Sequence, residues 1–360
     1  MLPRVLSAMT ALAAIALLSG CGTHVEFSPD GKKLLVSGGS EGLVLMNADG
    51  SGRQQLPNTM HAAYAIWSPD GRYILYEVPD WMGNRKRSKV FLYDLQAGAA
   101  RALKGYLCAP YTFSHDGTQV VACDREKQCL VWLDSSSGER LLEVPCPVTP
   151  QGARLHWLPD RHGVAFLAHE ESNATDVYTV EAGKLYRLST TGDVVGLGVS
   201  PDGKRLLWTR QTGTGARAVL TAFSYDLDAR SVRKLPLQVN MGDLFVSRSP
   251  GGAHLHTLVA FSPNAQFVVV IVSHHAEGEA QRQWLRGVVM PLAGGEAKEV
   301  LRALPSAKRP ELAVDVAWSP DSQRVAFLSL RGQKQDKQQE QALRVRVSHA
   351  DSTGARVIDL

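Results

Sequence analysis

Residues Phe27–Val36 read FSPDGKKLLV, and residues Trp67–Tyr76 read WSPDGRYILY. The same pattern, an aromatic or apolar residue followed by a Pro-Asp type turn, occurs seven times in the chain. The copies are FSPDG at Phe27, WSPDG at Trp67, FSHDG at Phe113, WLPDRHG at Trp157, VSPDG at Val199, FSPNA at Phe261 and WSPDS at Trp318. Their successive spacings are 40, 46, 44, 42, 62 and 57 residues. A basal period of about 40 to 46 residues is typical of a four-stranded propeller blade.

Each turn is followed by a short, continuous apolar run, such as Leu34–Val36, Ile74–Tyr76 or Val325–Leu328. A strand reads this way when both of its faces are covered, and inner propeller strands are covered by the two neighbouring blades. A third apolar strand and a fourth, more polar strand follow in each unit. The sequence therefore predicts an all-β chain, a seven-bladed β-propeller of four-stranded antiparallel blades.

The repeated pattern resembles the TolB-like propeller repeat, also called the WD40-like Pro-Asp repeat. The resemblance covers nearly the whole chain after residue 20 and implies the seven-bladed fold. It does not imply one function, because this family includes protein-binding scaffolds and the non-catalytic caps of peptidases.

The repeated aspartates have two interpretations, as turn formers or as a ring of calcium ligands. Proline presets the backbone of a type I turn, aspartate can accept backbone hydrogen bonds, and glycine adopts the left-handed conformation that follows. Turn sequences also drift, since His115 replaces the proline and Asn264 the aspartate. We therefore expect a structural role for these aspartates: Asp30, Asp70, Asp116, Asp160, Asp202 and Asp321.

Long connections lie almost entirely between second and third strands or between blades, which places them on the rim opposite the turns. We name this rim the long-loop face, and define it by the segments 79–89, 240–256, 274–283, 305–311 and 331–341. Loops on a rigid scaffold often carry recognition. An aromatic side chain beside basic residues is typical of interface hot spots, so we predict a partner-binding site at Trp81, Met82, Arg85, Lys86 and Arg87. The alternative is a solvated loop.

Four histidines, His254, His256, His274 and His275, lie close in sequence around the sixth unit. Imidazoles in this number can bind zinc or copper. No acidic partner at ligand spacing accompanies them, so they are weak metal candidates, and the sequence predicts no cofactor.

Four cysteines, Cys108, Cys123, Cys129 and Cys146, all belong to the third unit. An even number in an exported protein suggests disulfides. Cys123 ends the second strand and Cys129 begins the third, so we expect these two to pair, and Cys108 to pair with Cys146. Reduced, buried thiols are the alternative.

Residues 1–4 contain one basic residue, Arg4, and are followed by an apolar run at 5–18 that ends in Leu18-Ser19-Gly20-Cys21. This tetrapeptide resembles the bacterial lipobox, whose cysteine receives acyl chains. We therefore expect a lipoprotein signal peptide at 1–20, a propeller at 21–360 and a lipid anchor on Cys21. Gly22 stands where an inner-membrane retention signal would have Asp, which favours the outer membrane, facing the periplasm.

The net charge and the motifs of the chain limit the classes of function that are to be expected. The net charge of +4 permits contact with anionic lipid or peptidoglycan, and an exported protein has no obvious route to nucleic acid. The chain contains no HExxH and no Walker motif. The sequence therefore predicts an envelope scaffold with a protein partner and favours a non-enzyme. The alternative is a propeller enzyme of the lyase or lactonase type, or a small-ligand or metal binder that uses the central channel.

Overall fold

The computed structural model describes residues 22–38, 41–80, 87–152, 154–170, 174–214, 217–241, 253–276, 284–303, 311–332, 341–354 and 356–359. These residues form seven separate antiparallel sheets. Each sheet is one blade, and its strands follow one another in chain order from the channel to the rim, so the predicted seven-bladed propeller is confirmed.

The first four blades have short strands. Blade 1 contains β1 His24–Phe27, β2 Lys33–Ser37, β3 Val44–Asn47 and β4 Gln54–Gln55. Blade 2 contains β5 Ala63–Trp67, β6 Tyr73–Val78, β7 Lys89–Asp94 and β8 Ala99–Ala102. Blade 3 contains β9 Cys108–Phe113, β10 Gln119–Asp124, β11 Cys129–Asp134 and β12 Arg140–Pro145. Blade 4 contains β13 Thr149–Pro150, β14 His156–Leu158, β15 Gly163–His169, β16 Thr175–Glu181 and β17 Lys184–Arg187.

The last three blades have longer strands. Blade 5 contains β18 Val194–Val199, β19 Arg205–Thr212, β20 Val219–Asp226 and β21 Ser231–Asn240. Blade 6 contains β22 Ala253–Phe261, β23 Phe267–Ala276, β24 Trp284–Pro291 and β25 Lys298–Ala303. Blade 7 contains β26 Glu311–Trp318, β27 Arg324–Gly332, β28 Gln341–His349 and β29 Arg356–Asp359.

Blade 4 departs from the repeat because its inner strand is split. Both β13 and β14 pair with β15, and the pairing is interrupted between Pro150 and His156. Arg154 lies in this break, where its backbone bridges to Tyr111 of blade 3. The only helix among the described residues is the single 3-10 turn Pro159–Arg161, and none of these residues form a helix that could span a membrane.

The core consists of seven apolar clusters, one between each pair of neighbouring blades. Alternate residues of one strand enter different clusters, as Val121 packs towards blade 4 and Val120 towards blade 2. Both faces of the inner strands are therefore dry, which explains why the apolar runs are continuous rather than alternating.

The described strands close the ring without sharing one between blades, since blade 1 and blade 7 are each built from one contiguous segment. Side chains join the two blades. The guanidinium of Arg324 donates to the carbonyl oxygen of Gly31 (2.7 Å) and lies over the ring of Phe27. Asp315 accepts a hydrogen bond from the amide of Val25 (2.8 Å), and its carboxylate lies 2.6 Å from Nδ1 of His24. We call this contact the closure seam.

The repeated turns end in a left-handed residue, and glycine occupies that position at Gly117 with φ of 74°. A Cβ placed there would meet only Pro69 Cδ at 3.7 Å, an ordinary contact. Gly117→Ala is therefore expected to lower the free energy of unfolding by about 1 kcal/mol, from backbone strain alone. Urea denaturation should show this as a lower midpoint. Ala265 already adopts φ of 55°, so Ala265→Gly, the control, should not show that loss. An unchanged midpoint in Gly117→Ala would contradict the strain argument.

Candidate functional site

The turn aspartates hold their own turns. Asp30 accepts hydrogen bonds from Oγ of Ser28 (2.6 Å) and the amide of Lys32 (3.0 Å). The same pair of bonds, from the serine two residues before and the amide two residues after, recurs at Asp70, Asp116, Asp202 and Asp321. The serine hydrogen bonds lower the pKa of Asp30, Asp116 and Asp202. The side chain of Asp160 lies outside the described residues. The five described carboxylates use local donors, which supports the structural interpretation.

An ion pair crosses the central channel. The guanidinium of Arg154, in blade 4, contacts the carboxylate of Glu26, in blade 1. Glu26 also accepts a hydrogen bond from the amide of Trp67 in blade 2 (2.9 Å). The split inner strand of blade 4 brings Arg154 into the channel. Desolvation by the surrounding residues lowers the pKa of Arg154 to about 10, and the negative charge of Asp315 opposes this shift. The Arg154 side chain is nevertheless 40% accessible to solvent.

Two adjoining cavities occupy the channel, and Glu26 and Arg154 line both. The first, of about 460 Å³, opens at the turn face, the rim that carries the Ser-Pro turns, and is lined by their prolines and by aromatic side chains. The second, of about 330 Å³, reaches His24 and His156 near the starts of the inner strands. Sequence reasoning missed these channel residues, because Glu26 and Arg154 belong to no motif.

His156, in the channel, makes the stability of the protein depend on pH. Burial, helped by the charge of Arg154, lowers its pKa from 6.5 to about 4. The unfolded chain takes up this proton near pH 6.5 and the folded chain only near pH 4, so stability should fall progressively as the pH drops between these values. His156→Gln should reduce the fall in urea midpoint between pH 7.5 and pH 5. Exposed His162→Gln is the control, and an undiminished fall in His156→Gln would refute the assignment.

The structure corrects the expected disulfides. Cys123 lies opposite Leu130, and Cys129 lies opposite Asp124, so the two cysteines are one residue out of register and face opposite sides of the blade. Cys123 packs between blades 3 and 4, and Cys129 between blades 2 and 3. The Cys123–Cys129 pairing is therefore wrong.

All four cysteines of this unit are buried, and no disulfide joins them in the part of the chain that the structure describes, so the expected Cys108–Cys146 bond is not formed either. The register partner of Cys123 is Cys108, whose Sγ accepts a hydrogen bond from Nε of Arg125 (3.2 Å). Burial raises the pKa of Cys123 well above its ordinary value and that of Cys146 to about 11. These thiols are consequently protonated at neutral pH.

The predicted partner site is only partly visible. Trp81, Met82, Arg85 and Lys86 lie outside the described residues, as does Cys21. Arg87 is exposed at the end of the connection between β6 and β7. The connection is fixed at its base, where buried Ser88 accepts a hydrogen bond from the amide of Asp80 (3.0 Å).

The sixth-unit histidines lie on two paired strands. His254 is the register partner of His275, and His274 that of Leu255, while the side chains of all four histidines lie outside the described residues. Among the residues whose side chains are described, no group of three His, Cys, Asp or Glu is arranged to hold a metal ion.

No family model and no curated protein sequence matches the chain. Solved structures are similar in fold. A chain of hydrazine synthase from Kuenenia stuttgartiensis is 14% identical, with 95% of this chain and 96% of that chain covered and a TM-score of 0.57. The β-propeller domain of the Trilobed protease from Pyrococcus furiosus, described as having an open velcro topology, is 13% identical, with 93% and 94% covered and a TM-score of 0.54.

TolB from Acinetobacter baumannii is also similar, at 13% identity, with 99% of this chain and 68% of that chain covered and a TM-score of 0.47. At identities of 13–14%, these similarities indicate a shared fold and no more. The strands, their order and the seven clusters between blades show directly that the protein is a seven-bladed β-propeller, the fold that the TolB-like resemblance implies.

Proposed function

We propose that the protein is a lipid-anchored scaffold of the bacterial envelope, which binds a protein partner through its long-loop face. Cys21 is the lipidation site in this proposal, and the outer membrane, on its periplasmic side, is the location. The lipobox-like sequence before Gly22 supports the anchor, and the asymmetry of the disc supports the binding face.

The observation that carries the binding face is the unequal height of the blades. The inner strand β22 has nine residues and β26 has eight, whereas β1 has four and β5 has five. All four of these inner strands end at the same type of turn on the turn face, closed by a serine hydroxyl. The extra length of blades 6 and 7 therefore projects from the long-loop face, where it forms a wall beside the lower blades 1 and 2.

Partner capture tests this proposal. The full-length protein is cross-linked in envelopes and purified, and captured proteins are compared between wild type and a Trp81→Ala, Arg85→Ala variant. We expect a partner that the variant loses. A Lys32→Ala, Lys204→Ala variant, which removes two exposed side chains of the turn face, is the matched control and should retain it. Equal recovery with both variants would exclude the Trp81 and Arg85 site.

A second candidate function is small-ligand binding in the channel, and the two cavities that meet at Glu26 and Arg154 favour it. Native mass spectrometry of protein purified from envelopes should then show a bound small molecule that Arg154→Met loses. Catalysis of the lyase or lactonase type would use the same cavities. A wild-type mass without added ligand would leave the scaffold as the better proposal.

A further inference from the structure

The chain is fixed to the propeller one residue after the proposed lipidation site. The carbonyl oxygen of Gly22 accepts a hydrogen bond from the amide of Tyr64 (2.7 Å) and another from Oγ of Ser37 (3.3 Å). Gly22 is buried, and a Cβ at this position would lie 2.2 Å from Cβ of Ala63. Gly22 is thus packed against the start of the inner strand of blade 2.

The direction of β1 fixes the side of the disc on which this attachment lies. β1 runs from His24 to Phe27 and continues into the Ser28-Pro29-Asp30 turn of the turn face. Its beginning, and Gly22 before it, therefore lie at the opposite mouth of the channel, on the long-loop face.

We infer that the long-loop face is held directly against the bilayer by the acylated Cys21, with no spacer between the lipid and the propeller. The inference rests on the proposed lipidation of Cys21. Consecutive Cα atoms are about 3.8 Å apart, so the modified cysteine begins within that distance of a fixed residue. A flexible spacer of ten residues would instead allow a separation of roughly 16–19 Å.

Membrane dimensions then set the distance of the face from the lipid. The polar layer of one leaflet is about 5–8 Å thick. The acyl chains start a side chain and a glycerol unit beyond the Cα of Cys21, so the mouth of the channel beside Gly22 lies close to the headgroups. A soluble protein cannot enter between this mouth of the channel and the headgroups without displacing lipid.

The height of the wall agrees with this position. Ala253 precedes Phe261 by eight residues, and Gly22 precedes Phe27 by five. The difference of three residues corresponds to about 10 Å along a strand. Blade 6 therefore extends about 10 Å beyond Gly22 towards the bilayer, a distance comparable with the thickness of the polar layer of one leaflet.

Described side chains on the same face suit a headgroup surface. Met60, in the connection from blade 1 to blade 2, is 63% exposed. It lies two residues before Ala62, whose carbonyl oxygen accepts a hydrogen bond from the amide of Gly38. Arg87 and Lys89, at the connection that leads into β7 of blade 2, are exposed on the same face. Basic side chains gain about 1 kcal/mol each near an anionic leaflet. The protein partner of this face is accordingly one embedded in the membrane or lying on it.

Amine labelling on vesicles tests the orientation. Acylated wild type, purified from membranes, is added to vesicles of phosphatidylethanolamine and phosphatidylglycerol (3:1) and treated with a membrane-impermeant acetylating reagent. Cys21→Ala with the same vesicles gives the soluble reference. We expect acetylation of Lys89 to fall several-fold on the vesicles, while that of Lys32 and Lys204, both exposed on the turn face, stays unchanged.

A second measurement uses single fluorescent labels. Met60→Cys and Lys32→Cys are labelled with bimane, and the unsubstituted protein corrects for its buried thiols. Headgroup spin-labelled lipid should quench the probe at Met60 and not the probe at Lys32.

Failure of the orientation and failure of the lipidation give different results. Acyl chains seen by mass, together with equal Lys89 acetylation on vesicles and in solution, would overturn the orientation alone, as would selective loss at Lys32 and Lys204. An N-terminal peptide without acyl chains would overturn the lipidation on which the inference rests.

Discussion

Asp315→Ala is expected to lower the free energy of unfolding by about 2–4 kcal/mol, because the partners of a largely buried carboxylate are left unsatisfied. The partners are the amide of Val25 and Nδ1 of His24, both in β1. Among the described residues, blade 7 and blade 1 share no strand and are joined by side-chain packing and such bonds. The loss should therefore open the closure seam before the rest of the ring.

Hydrogen exchange locates this effect. In Asp315→Ala, amides of β1, β2, β26 and β27 should exchange faster together, while those of blades 3 to 5 keep their protection. Asp94→Ala is the matched control. Asp94 is as buried as Asp315, at 20% and 21% exposure, but it binds Arg72, Gln96 and Ala97 within blade 2. Uniform acceleration across all blades in Asp315→Ala would contradict a local seam.

Cys21→Ala is expected to move the protein from the membrane fraction to the soluble periplasm. Each buried methylene of an acyl chain contributes about 0.8 kcal/mol, and two or more chains make anchoring effectively irreversible. Basic side chains alone contribute only about 1 kcal/mol each. The loss should be nearly complete, as measured by fractionation and immunoblotting.

Cys146→Ala serves as the control, since it also removes a cysteine but leaves the lipobox intact, and it should remain in the membrane fraction. Wild-type protein should also carry acyl chains detectable by mass on its first residue, Cys21. Retention of Cys21→Ala in the membrane fraction after a high-salt wash would refute the anchor.

The number of blades and the places of the second strands could be predicted because they depend on local rules. The aromatic-Ser-Pro-Asp-Gly turn is held by bonds within six residues, from Ser28 to Lys33 in blade 1. Repetition then fixes the architecture, since each copy needs neighbours on both faces to cover its apolar strands.

The parts that could not be predicted depend on registers and on contacts between distant segments. An offset of one residue puts Cys123 and Cys129 on opposite faces, and sequence spacing does not resolve one residue. Glu26 and Arg154 are 128 positions apart, and their contact follows from the split inner strand of blade 4. The repeat showed only that this unit had an unusual turn, at Arg161 and His162.

The contiguity of the blades has a consequence for the connectivity of the chain. Because every sheet is completed by its own segment, no blade depends on where the polypeptide happens to be cut. The gap in the covalent ring lies between blades 7 and 1 and could be moved to any other junction by circular permutation. The proposed lipid anchor would then leave from a different sector of the disc, so the tilt of the protein on the membrane would follow the position of the cut while all seven sheets stay the same.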